Sequence, residues 1–153
     1  DDWCANFCAH AKNMPKKCVQ DAVNLLLKNK IKLKNAKIAV LGLGFRGDVI
    51  DTRLSPTYDV VNEFIKKGCN VIIHDPYIFQ DKNLPKSVPL SKNLKYVTKD
   101  ANLIFISSDH KIYSKLTSKS FSKRKKPILF FDGRNILSKK NFASAKIQTI
   151  GNG

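Results

Sequence analysis

Arginine is scarce in this chain. Of 28 basic residues only four are Arg, at positions 46, 53, 124 and 134, which leaves 24 Lys. Acidic residues are few as well, 12 in all, so the net charge is +16. Such a surplus raises nucleic-acid binding as a possible function. Its pattern argues against that function: the lysines are scattered, with one short run at Lys123-Arg124-Lys125-Lys126. No aromatics are interleaved with them to stack bases, so the pattern is that of a solvated surface. No apolar run approaches the ~18 residues that cross a bilayer. The opening Asp1-Asp2-Trp3-Cys4 lacks the basic-then-apolar order of a signal peptide. These absences predict a cytoplasmic protein with no membrane and no nucleic-acid partner. The four cysteines, at 4, 8, 18 and 69, give no disulfide framework. Cys4 and Cys8 lie near His10 but lack a second ligand pair, so no metal is expected. Cys69, between Gly68 and an apolar run, is expected to be a small buried residue.

What is present is enough for one globular domain of 153 residues, 42% of them hydrophobic. Residues 15–29 predict an amphipathic helix, with Pro15 in its first turn and Val19, Ala22, Val23, Leu26 and Leu27 on one face. Near-continuous apolar runs predict strands at 37–42, 70–75, 103–107 and 128–132, and a last short strand is read at 146–150. Ser55-Pro56 opens a second helix that carries Val60, Val61, Phe64 and Ile65 and stops at Gly68. Strand, helix and strand in this rhythm imply crossover connections and a parallel sheet with helices on both faces. Ligands of such sheets bind beyond the carboxyl ends of the strands. Three informative segments fall there: 42–53, Asp75, and Asp132-Gly133-Arg134.

Gly42-Leu43-Gly44-Phe45-Arg46-Gly47 matches G-x-G-x-x-G after a strand, the outline of a dinucleotide fingerprint. Its context fails: the next helix begins only near Ser55-Pro56, and Asp75 lies 33 positions beyond Gly42 rather than the ~20 expected. The segment reads instead as a long loop with two Arg and two Asp. The planar guanidinium suits phosphate and carboxylate in a way that Lys does not, so an anionic ligand is expected. Asp48 and Asp51 are expected to hold the arginines in place. Arg124, within the basic run, is expected to have no special role.

The stretch 42–56 resembles the signature that opens the C-terminal domain of UDP-sugar 6-dehydrogenases, G-L-(small)-F-(K/R) followed by D-x-R-x-S-P. Asp75-Pro76-Tyr77 resembles that family's D-P-Y, and Asp132-Gly133-Arg134-Asn135 its D-x-R-N. Asn13-Met14-Pro15 and the helix after it resemble the central helix between the family's two domains.

The resemblance implies a Rossmann-like α/β fold, with 1–34 as the end of a central linker helix region and 35–153 as the UDP-sugar-binding domain. It implies that Phe45, Arg46 and Arg134 contact a UDP-sugar and that Arg53 reaches toward NAD. The family oxidises the sugar's C6 alcohol in two NAD-dependent steps through a cysteine thiohemiacetal. Its C-x-P-K-D segment has no counterpart here, and Cys4 and Cys8 have other neighbours, so no catalytic residue is expected in this chain. The expectation is a fragment of a longer enzyme whose N-terminal NAD-binding domain lies elsewhere. Homodimerisation through the central helix is also implied, and the face from Val19 to Leu27 is either that contact or this domain's own core. His110, where UDP-glucose dehydrogenases tend to place Trp, resembles the dehydrogenases of UDP-N-acetylhexosamines, UDP-N-acetyl-D-mannosamine first. Read without the resemblance, His110 is a helix-start residue. A stand-alone nucleotide-binding module is the alternative from another class.

Overall fold

Ile38-Ala39-Val40-Leu41 offers apolar side chains to both sides and is stable only as a strand covered on both faces. The computed structural model describes residues 2–44, 46–124, 127–142 and 145–149, with 2–13 by backbone alone. It forms that strand as β1 (Lys37–Leu41). Five more follow: β2 (Asn70–His74), β3 (Leu90–Ser91), β4 (Leu103–Ile106), β5 (Leu129–Asp132) and β6 (Lys146–Thr149). All pair in parallel, in the order β3-β2-β1-β4-β5-β6. This is the Rossmann-like α/β arrangement. The strand order switches direction between β1 and β4, which opens a crevice at their carboxyl ends.

The helices are α1 (Asp2–Lys28), α2 (Thr57–Lys66), α3 (Leu94–Thr98) and α4 (Lys111–Ser114). Side chains alternate cleanly across the sheet, as the period of two requires. Ile38, Val40, Val71, Ile73, Leu103, Phe105, Leu129 and Phe131 face one way and pack with α1 and α2. Ala39, Leu41, Ile72, Ile104, Ile106 and Phe130 face the other and pack with Val97 of α3, Tyr113 of α4 and the segments around Phe121 and Phe142.

Each expected strand is present, shorter by one residue: Gly42, Asp75 and Ser107 follow their strands, Ile128 precedes β5, and residue 150 lies outside the described residues. The two-residue β3 carries no apolar run of its own and was not expected; it forms because Leu90 aligns with Ile73. The first helix corrects its expected start. Pro15 lies in its interior rather than its first turn, because a proline removes one ladder bond without forbidding helix on either side. Arg124 also differs from expectation: its guanidinium bonds the Ala101 carbonyl, tying the segment before β5 to the turn before β4 at the base of the sheet.

The apolar face of α1 belongs to this domain's core. Val19, Ala22, Val23 and Leu26 are buried against α2 and the sheet, whereas Leu27 is 52% exposed. Truncating Leu26 to Ala should therefore cost about 2–5 kcal/mol in urea unfolding, as for other core leucines. Leu27→Ala should stay within about 0.5 kcal/mol.

Candidate functional site

The loop after β1 is drawn tightly against the loop after β4. Gly42 has φ +98°, and a Cβ there would fall 2.3 Å from the Ser108 Cβ, so only glycine fits. Gly42 N donates to the His74 carbonyl at 2.7 Å. Ser108 Oγ donates to the Gly44 carbonyl, and Ser55 Oγ donates to the Leu43 carbonyl at 2.7 Å while accepting from Thr57 N at 3.3 Å. Ser55 thus ties the start of α2 back to the loop. Gly47 is as crowded as Gly42: a Cβ there would lie 2.3 Å from the Asp109 carbonyl oxygen.

Beneath these loops lies Asp75, at the end of β2 and fully buried. One carboxylate oxygen accepts from Leu43 N at 2.9 Å and from His110 Nε2 at 3.2 Å. The other accepts from Tyr77 N at 2.9 Å and Ile78 N at 3.0 Å. Burial by itself pushes the carboxyl up. The bonds from His110, Leu43 and Tyr77 outweigh it and hold Asp75 below the usual carboxylate value. Asp132, at the end of β5, has a parallel role: its carboxylate accepts from the N–H groups of Arg134, Ile136 and Leu137 and shapes the turn that carries Arg134.

The structure places the expected arginines as follows. Arg46 is exposed on the turn between Gly44 and Gly47. Arg134 sits across the mouth, with one guanidinium nitrogen 3.3 Å from Asp109 Oδ2 and another 3.5 Å from the Ser107 carbonyl. Asp109 Oδ1 accepts from Gly47 N at 2.6 Å. One carboxylate therefore joins the turn of Arg46 to the side chain of Arg134. Burial pushes Asp109 up, but the Gly47 N–H and the Arg134 charge together bring it below its ordinary value. Arg53 is 88% exposed and forms a two-bonded pair with Asp51, both contacts at 3.1 Å. Asp51 thus holds an arginine as expected. Asp48 does not: its carboxylate accepts from Tyr77 OH at 3.4 Å and Lys111 N at 3.3 Å. Phe45 lies outside the described residues, as do the side chains of Cys4, Cys8 and His10.

Sequence reasoning missed Asp109 and Tyr77 and left His110 undecided. His110 is the N-cap residue of α4, and its ring is fully buried between the β1 loop and Asp75, so it touches the loop rather than a ligand. The available signals were the Ser-Ser-Asp-His run at a strand end and, for Tyr77, its place in Asp75-Pro76-Tyr77. His74 is also buried and bonds Tyr113 OH at 2.8 Å, with burial lowering its pKa. No described group at the mouth is an activated nucleophile. Ser55, Ser107, Ser108 and Thr57 are engaged in internal hydrogen bonds. Of the described thiols, burial pushes Cys18 up to about 11 and raises Cys69 as well, away from the reactive thiolate. Among the described residues no group of His, Cys, Asp and Glu could hold a metal, and no helix is long and apolar enough to cross a membrane. The mouth can bind and orient an anion.

Because the folded-state pKa of Asp75 is depressed, its stabilisation is complete above the unfolded value and is lost as pH falls through the folded one. Replacing Asp75 by Asn should cost on the order of 3 kcal/mol near neutrality, since an amide cannot accept all four bonds. Denaturant titrations should show that gap steady from pH 7 to about 5 and closing toward pH 3.

The profile of the UDP-glucose/GDP-mannose dehydrogenase family, UDP binding domain, matches residues 39–139. UDP-N-acetyl-D-mannosamine dehydrogenase of Pyrococcus horikoshii is 32% identical over 112 residues, covering 73% of this chain and 25% of that protein. UDP-glucose 6-dehydrogenase 2 of Arabidopsis thaliana is 29% identical over 130 residues, covering 69% of this chain and 27% of that one. The chain thus spans about a quarter of the length of these relatives. The solved NDP-N-acetyl-D-galactosaminuronic acid dehydrogenase of Methanosarcina mazei superposes with a TM-score of 0.81 at 27% identity, over 92% of this chain and 30% of that one. With the profile match spanning both Arg46 and Arg134, the chain belongs to the UDP-glucose/GDP-mannose dehydrogenase family, through that family's UDP binding domain.

Proposed function

We propose that Arg46 and Arg134 bind the diphosphate of a UDP-sugar, with Phe45 beside them, and that the chain is the substrate-binding part of an NAD-dependent nucleotide-sugar 6-dehydrogenase. The observation that carries this reading is the Asp109 carboxylate, which joins the turn of Arg46 to the guanidinium of Arg134 over one crevice. Guanidinium groups there offer the paired donors that phosphate oxygens accept.

Among the described residues the glycine loop departs from a dinucleotide fingerprint. Gly47 sits in a turn against Asp109, and α2 begins only at Thr57, so the third glycine of the loop lies outside the helix rather than in its first turn. NAD would be held mainly by a domain outside residues 1–153, with the exposed Arg53 extended toward it. The cofactor supplies the hydride chemistry, and the nucleophilic cysteine would come from that same domain. The length of the relatives supports this division. Residues 1–34 then form the end of the central helix, which pairs subunits in a homodimer, and 35–153 the UDP-sugar-binding domain, working in the cytoplasm.

For the sugar, a UDP-N-acetylhexosamine is favoured, UDP-N-acetyl-D-mannosamine first. The Pyrococcus relative acts on that substrate, and the Methanosarcina structure is named for an N-acetylated sugar. UDP-glucose is the second reading, favoured by the Arabidopsis relative.

Calorimetric titration of the chain with UDP tests the site. Arg46→Ala and Arg134→Ala should each weaken binding by about tenfold or more, the loss of charged hydrogen bonds. Arg53→Ala should leave UDP affinity unchanged. UDP heats that survive both of the first two substitutions would remove the diphosphate from this mouth.

A further inference from the structure

Two successive residues of the β4 loop hold two successive residues of the β1 loop. Asp109 takes the Gly47 N–H, and His110 Nδ1 accepts from Asp48 N at 2.8 Å. Asp48 has φ +60°, in the left-handed region that a residue with a Cβ enters at a cost. An outside tie keeps it there, and that tie is a ring with no exposure. The partners fix its tautomer. Asp48 N–H can only donate, so Nδ1 is bare; the Asp75 carboxylate, held ionised by its other donors, can only accept, so Nε2 carries the hydrogen. Tyr77 and Tyr113 close around the ring, with centroids 5.4 and 5.3 Å away.

We propose that His110 is a positioning residue for the anion-binding loop. Its Nδ1, presented in the tautomer that Asp75 selects, sets the backbone at 46–48 and so the reach of Arg46 into the mouth. The ligand half of this inference rests on the UDP reading above. The loop half stands on the hydrogen bonds alone.

Isosteric replacements separate the two ring nitrogens. In His110→Asn the side-chain oxygen falls where Nδ1 stood and keeps the acceptor for Asp48, while the donor to Asp75 is lost. In His110→Gln the amide reaches the Nε2 position and keeps the donor to Asp75, while Asp48 N–H loses its acceptor. Both variants should melt below wild type, since each loses one buried bond. Only His110→Gln should speed amide exchange at Asp48 and weaken UDP, each by about tenfold, with His110→Asn within about threefold of wild type. Equal Asp48 protection in the two variants, or UDP bound as tightly by Gln as by Asn, overturns the inference. If neither variant folds, nitrogen NMR of the wild-type ring decides: the hydrogen on Nε2 supports the assignment, and the hydrogen on Nδ1 ends it. Absence of any wild-type response to UDP removes the ligand reading only, and Asp48 exchange then decides the role of His110.

Discussion

A carboxylate with no solvent exposure, Asp75, accepts four hydrogen bonds at the end of β2, and the geometry of the mouth depends on them. Removing a charge from water is costly unless every lone pair is satisfied. Asp75 meets that condition with three backbone N–H groups and one imidazole. Each donor belongs to a segment that must be placed: Leu43 in the β1 loop, Tyr77 and Ile78 in the turn after β2, His110 in the β4 loop. The desolvated charge thereby fixes three loops relative to one another.

A second layer stands on this one. His110, oriented by Asp75, receives Asp48 N–H, and its neighbour Asp109 receives Gly47 N–H and the Arg134 guanidinium. Asp132 at the end of β5 repeats the device of Asp75, capping the turn from which Arg134 extends. The crowding at Gly42 and Gly47 has the same origin, because loops held this close leave no room for a Cβ. Loops held by buried partners at strand ends lose little freedom when a ligand arrives. The exposed Arg53–Asp51 pair stands apart from this network, outside the mouth.

The parallel sheet was legible in the sequence because strands covered on both faces read as near-continuous apolar runs, and β1, β2, β4 and β5 carry such runs. The length of the glycine loop was legible as well: the polar stretch before Ser55-Pro56 reads as a long connection, and α2 begins at Thr57. Where local pattern misled, tertiary contact supplied what was missing. β3 has two residues and exists through its neighbour; α1 continues across Pro15; Arg124 finds the Ala101 carbonyl, 23 residues away in sequence.

The sequence by itself determined the fold class and the strand ends at which its polar segments gather, because hydrophobic periodicity and residue chemistry are local properties of the chain. Only the tertiary structure decided which polar side chains hold the crevice. Asp75, Asp109 and His110 are tied to the β1 loop and to one another across separations of 32 to 62 residues, and a hydrogen bond depends on distance and direction that spacing along the chain does not encode. The same holds for the face of α1, whose apolar stripe suits either a partner helix or the domain's own core. Packing of Val19, Ala22, Val23 and Leu26 against α2 and the sheet gave it to the core.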